Sequence, residues 1–88
     1  MSTSSEGRAR LPEAVALHAR PAGLVVQHAA RYSSAVQLAA NGRRANAKSI
    51  LELLALGADG GTELLITASG DDAAVAVDEL ATLLGQLA

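Results

Sequence analysis

Residues 35–47 read AVQLAANGRRANA. Val36, Leu38 and Ala40 fall on one face of an extended chain, and Ala45 and Ala47 continue that face on the returning run. Between the two runs stands Asn41-Gly42. A two-residue hairpin loop that matches the strand twist needs positive φ at both central positions, and Asn and Gly bear that conformation best. The stretch therefore commits the middle of the chain to an antiparallel hairpin with one buried face. A one-residue slip would carry Val36 and Leu38 to the wrong side, so the register is specified too.

The rest of the chain punctuates itself around this hairpin. Arg8 and Arg10 point one way and Ala9 and Leu11 the other, which reads as a strand over residues 5–11, ended by Pro12. Residues 12–18 form a loop. Pro21 then starts a helix, because proline's missing N–H costs nothing in a first turn. Its buried stripe is Ala22, Val25, Val26 and Ala29, and it fades near Arg31–Ser34. KSILELLALG is a short apolar helix from Ser49 to a stop at Gly57, followed by the turn ADGG. TELLITAS is a strand with Leu64, Ile66 and Ala68 on one face. Asp71 and Asp72 open a last helix where the helix dipole favours acids, with Ala73, Ala76, Val77, Leu80, Leu84 and Leu87 as its stripe. The order β-α-β-β-α-β-α predicts an α+β fold: an open-faced two-layer sandwich with a four-stranded antiparallel sheet and three helices on one face. Residues 1–88 are expected to make a single domain, with 1–5 a flexible polar tail.

Composition narrows the chemistry. With one Tyr and no Phe or Trp, the core must be built from Leu, Val, Ile and Ala. The absence of Cys excludes disulfides, thiolate zinc sites and Cys nucleophiles. Two histidines, His18 and His28, do not make a metal-binding set, so neither a metal ion nor a cofactor is expected. His28 falls off the helical stripe and is expected to face solvent. All seven basic residues lie in residues 1–48, against Glu6 and Glu13, while every other acid follows. Either His18 sits in a positive region that draws anions, or the fold interleaves the two halves. No apolar run approaches the roughly 20 residues of a membrane span, and the first ten residues lack a signal-peptide core, so a cytoplasmic protein is expected. Basic residues without aromatic stacking partners argue against nucleic acid, and Arg43 and Arg44 beside the hairpin turn are expected to be solvated.

LHARPAG, residues 17–23, holds the candidate site. His18 falls just before a helix, where free N–H groups and the positive dipole end favour an anion. Arg20, two residues on, adds a fork of donors suited to phosphate oxygens. A phosphoryl group on the imidazole would meet both. A dipole contribution of ~0.3–1 kcal/mol is weak enough for a group that must move on. On spacing alone, a solvated histidine at a helix start is the commoner case, since short motifs are frequent by chance.

LHARPA together with NAKSILELLALG some thirty residues later, in this element order, resembles HPr, the histidine phosphocarrier of the bacterial phosphoenolpyruvate:sugar phosphotransferase system. The resemblance spans roughly residues 5–87. It implies that His18 takes a phosphoryl group from enzyme I at ring Nδ1 and passes it to EIIA proteins, with Arg20 orienting the oxygens, as a carrier rather than an enzyme. Ala16 and Gly23 depart from the family pattern, which usually has Gly before the Leu-His pair and a slightly larger small residue at the second position. Ser49 matches the family's regulatory serine, the target of an HPr kinase, although a serine there also serves as a helix cap. The resemblance further implies partner docking by exposed residues of the second helix, assigned to Ile50, Leu51 and Leu54, with Glu52 standing where a small residue is common. A monomer is expected. Two other readings stay open: a regulatory paralogue of the nitrogen-branch type, and an interaction module acting through Ser49 and its helix. A hydrolytic enzyme fails for want of a nucleophile, base and acid set.

Overall fold

The computed structural model describes residues 3–88. Seven elements follow in the expected order: β1 (Ser4–Arg10), α1 (Ala19–Ala29), β2 (Ala35–Ala40), β3 (Arg43–Asn46), α2 (Ile50–Leu56), β4 (Glu63–Ser69) and α3 (Ala73–Gly85). The strands form one sheet in the order β1-β4-β2-β3, and every pairing is antiparallel.

The hairpin forms where Asn41-Gly42 places it. Ala40 pairs with Arg43, and the two loop residues take φ of 54° and 76°. β4 inserts between β1 and β2, so Leu38 lies opposite both Ala45 and Ile66. Val36, Leu38, Ala45, Leu64, Ile66 and Ala68 line the buried face. The other face carries Glu6, Arg8, Arg10, Gln37, Asn46 and Thr67 and lies open. α3 packs on β1 and β4, α2 packs on β3, and α1 rests against both helices. Leu53, Leu80 and Leu84 are fully buried between these layers. Each such aliphatic side chain contributes roughly 1.5–3 kcal/mol by leaving water, and the chain's one aromatic residue of the Phe, Tyr and Trp set, Tyr32, is buried at the core's edge.

Four details differ from the sequence reading. β1 runs from Ser4 to Arg10, one residue earlier than the strand read over 5–11, so Ser4, assigned to the tail, pairs with Ser69 instead. Met1 and Ser2 of that tail lie outside the described residues. α1 starts at Ala19, two residues before Pro21. The first helical bond runs from the Ala22 N–H to the His18 carbonyl at 2.9 Å, so proline occupies the third position of a turn that lacks donors' partners in any case. His28 is half-buried, in a groove with Asp78 and Glu79, its ring 6.4 Å from that of Tyr32. Arg43 stays exposed but donates to the Ala55 carbonyl at 3.2 Å.

Asp72 caps α3 by position, yet its carboxylate bonds across the molecule rather than to its own helix. It accepts from the Ser33 N–H at 2.9 Å, the Ser34 N–H at 3.0 Å and the Ser34 hydroxyl at 2.5 Å. The hydroxyl, then the backbone donors, hold its carboxyl down at about 2. Beside it the Tyr32 hydroxyl donates to Glu79, and burial followed by that carboxylate pushes the phenol up to about 12. The Lys48 ammonium donates to the Tyr32 carbonyl at 2.7 Å. These bonds lock the α1–β2 connection to α3 and to the β3–α2 turn.

Candidate functional site

The segment before α1 is pinned by three buried aliphatics, Leu11, Val15 and Leu17. With Leu17 inside, the next side chain turns out, and His18 is exposed. His18 is the N-cap of α1 with extended backbone (φ −97°, ψ −165°), and its ring makes no capping hydrogen bond. Among the described residues, no carbonyl accepts from the Ala19 or Arg20 amide, and Pro21 has none to offer. Two backbone donors are therefore free beside the imidazole, at the positive end of an 11-residue helix.

Arg20 is exposed and, among the described residues, enters no ion pair or side-chain hydrogen bond. It shares a shallow cleft of about 250 Å³ with His18, floored by Ala14, Val15 and Pro21. Among the other arginines of the first half, Arg8 and Arg10 reach Glu63 at 3.2 and 3.6 Å on the open sheet face, and Arg43 reaches the Ala55 carbonyl. Pairing β1 with β4 thus interleaves the basic and acidic halves, and Arg20 is the basic residue that lines the cleft with His18. Among the described residues there is no cluster of three or more potential metal-ligating side chains, and no helix is long and apolar enough to cross a membrane.

Ser49 is the N-cap of α2, half-buried, its hydroxyl accepting from the Glu52 N–H at 3.2 Å. The Glu52 carboxylate reaches back past the serine to the Asn46 N–H at 2.9 Å. Asn46 also accepts from the Ser49 N–H through its carbonyl and from the Lys48 N–H through its side chain. The Ser-x-x-Glu spacing of a capping box was present in the sequence as Ser49 and Glu52. The reading treated Glu52 only as a departure, and missed that it ties the β3–α2 turn.

Ile50, Leu51 and Leu54 are 39%, 77% and 40% exposed, while Leu53 and Leu56 are buried. Seven residues of helix cannot hide five large aliphatics on one side. Leu24, which the sequence reading passed over, is 44% exposed one turn beyond Arg20. Its position off the Ala22/Val25/Ala29 stripe was the available signal. A Cβ built on Gly23 would lie 3.9 Å from Ile50 Cδ1, so the start of α1 adjoins the start of α2. No hydrogen bond joins His18 or Arg20 to Ser49 among the described residues, but their helices form one continuous surface.

Comparison with known proteins fits this geometry. The family model for the PTS HPr component phosphorylation site matches residues 6–86. The HPr-like protein Crh of Bacillus subtilis is 46% identical over 65 residues, 74% of this chain and 76% of that protein. A crystal structure of Crh, with a TM-score of 0.74 over 82% of this chain and 85% of that one, is a swapped, intertwined dimer. The phosphocarrier protein HPr of Mycoplasma capricolum is 38% identical over 70 residues, 80% of this chain and 79% of that protein. The structure of HPr from Bacillus anthracis superposes with a TM-score of 0.86 at 33% identity, covering 92% of this chain and 96% of that one. With the fold, the exposed histidine and the family match in agreement, the chain belongs to the HPr phosphocarrier family of the phosphotransferase system.

Proposed function

We propose that His18 is the phosphoryl acceptor and donor of this carrier. The observation that carries the reading is an exposed N-cap histidine with no capping bond of its own, beside two free amides and an uncommitted arginine. A ring nitrogen attacks the phosphorus of an upstream phosphohistidine on enzyme I. One N–P bond forms as the donor's N–P bond breaks, and the donor imidazole keeps the electron pair. A neutral imidazole needs no base for this step. Arg20 and the Ala19 and Arg20 amides then hold the phosphoryl oxygens. The reverse chemistry hands the group to a histidine of an EIIA protein. Leu24, Ile50, Leu51 and Leu54 supply the apolar docking surface beside it. The reaction is group transfer between proteins, so the chain is a carrier and not an enzyme with turnover of its own. We place it in the cytoplasm, as a monomer, with Ser49 as a regulatory phosphorylation site that also caps α2.

The test is intact mass after incubation with phosphoenolpyruvate and a bacterial enzyme I. A gain of one phosphoryl group, lost in acid and absent from His18→Ala, is the expected result. No gain, with a control HPr labelled in the same tube, overturns the reading.

A regulatory role is the second reading, favoured by the likeness to Crh. It keeps uptake at His18 and denies delivery, so labelled chain mixed with EIIA proteins would retain its phosphoryl group. The same likeness bears on assembly, because Crh forms a swapped dimer in its crystal. Light scattering in solution separates that state from the proposed monomer.

A further inference from the structure

The segment that presents His18 is held by the turn after α2. Leu11 donates to the Thr62 carbonyl at 3.0 Å. The Gly61 N–H is shared between the Leu11 and Pro12 carbonyls at 3.0 and 3.3 Å, and Arg10 donates to the Gly61 carbonyl at 2.6 Å. At the far end, Leu17 donates to the Ala58 carbonyl at 2.8 Å, one residue before His18. Both ends of residues 11–17 are therefore fastened to residues 58–62.

Gly60 lies in the middle of this junction. Its φ is not among the positive values of the chain, so its backbone conformation suits any residue. Space is what it lacks. A Cβ on Gly60 would lie 2.7 Å from the Glu13 carbonyl carbon, closer still to the Glu13 oxygen, and 3.1 Å from the Pro12 oxygen. These are backbone atoms, with no rotamer to yield, so a side chain at position 60 must move residues 12–13 bodily.

We infer that Gly60 is a positioning residue for His18: its bare Cα admits the Glu13 carbonyl, and that contact, with the Leu17–Ala58 bond, sets where the imidazole is presented. The inference rests on His18 as the phosphoryl acceptor. The atoms nearest to a Cβ on Gly60 belong to Glu13 and Pro12 rather than to the exposed apolar residues of α1 and α2, so its effect falls on transfer geometry and not on docking. A displacement of about 1 Å at a reacting centre costs on the order of 100-fold in rate.

The experiment compares wild type, Gly60→Ala and Gly85→Ala, the last having nothing within 4 Å of its added methyl. Phosphoryl uptake from enzyme I is followed against carrier concentration, with amide NMR spectra of each protein. The expected result for Gly60→Ala is a maximal rate lowered roughly 10- to 100-fold with the half-saturating concentration unchanged. The Leu17 and His18 amide signals move while those of residues 50–56 stay. Gly85→Ala transfers as wild type. An undiminished rate in folded Gly60→Ala, or a fall explained wholly by half-saturation, overturns the inference. Should Gly60→Ala unfold, hydrogen exchange in the wild-type protein decides. Leu17 and Gly61 amides protected like the core support a fixed junction, and free exchange overturns it. If the wild-type chain takes up no phosphoryl group, the carrier reading fails, while the amide shifts still report whether Gly60 places the histidine.

Discussion

At the scale of single residues, the proposed function divides the work between His18, for chemistry, and Arg20, for orientation. Arg20 has no structural bond to lose among the described residues, so its removal should touch transfer alone. A hydrogen bond to a charged group is worth about 1.5–3 kcal/mol. Arg20→Ala should therefore lower the rate of uptake about 10- to 100-fold with no change in thermal midpoint, measured by rapid-quench labelling and calorimetry. Ser49 caps α2, and the regulatory role proposed for it is separable from that cap. Ser49→Ala removes the acceptor of the Glu52 N–H and should cost ~1 kcal/mol in denaturant unfolding without slowing uptake. Ser49→Asp keeps a capping oxygen and adds a charge beside Glu52, so it should leave stability nearly intact and slow uptake. An unchanged rate would leave Ser49 as a cap alone. The histidine and the serine were legible because each lies in a motif next to a helix start. Leu24 and Glu52 also carry local signals, in helical position and in Ser-x-x-Glu spacing, whereas Gly60 carries none, because its importance depends on what another part of the chain brings within reach.

At the scale of elements, α2 shows how seven residues can serve core and surface together. Leu53 is fully buried and Leu51 is 77% exposed, two residues apart. Leu53→Ala should cost about 2–5 kcal/mol by opening a cavity. Leu51→Ala should stay within about 0.5 kcal/mol of wild type while weakening docking, seen as a raised half-saturating concentration for enzyme I. Equal destabilisation by both would refute this division of the helix. The hairpin, the helical stripes and the stop at Gly57 could be read in advance, since each is written in residues a few positions apart. The start of β1 could not. Ser4 has no strand signal of its own and is extended because Ser69 stands opposite. The insertion of β4 between β1 and β2 has the same origin, in pairings that local pattern does not encode.

At the scale of the whole molecule, the bonds from Asp72 to Ser33 and Ser34 join segments 38 and 39 residues apart, and they confer a pH dependence. A carboxyl held at about 2 in the fold, below its ordinary 3.8, stabilises the protein wherever the unfolded chain's carboxyl is also ionised. That contribution is complete above about pH 4 and fades as pH falls toward 2. Thermal melts of wild type should lose midpoint over this interval more steeply than those of Asp72→Asn, which begins less stable and declines less. Parallel curves would show that Asp72 does not set the acid limb. The surface formed by the starts of α1 and α2 has a different kind of consequence. On the proposed function, donor and acceptor proteins reach the same imidazole over the same few aliphatic side chains, so the two cannot be seated together. Delivery is then a matter of taking turns. Every phosphoryl group passed requires one partner to leave before the next arrives, and throughput is bounded by the slower departure. Tighter docking to either side would lengthen the queue, and a small, partly apolar contact keeps both visits short.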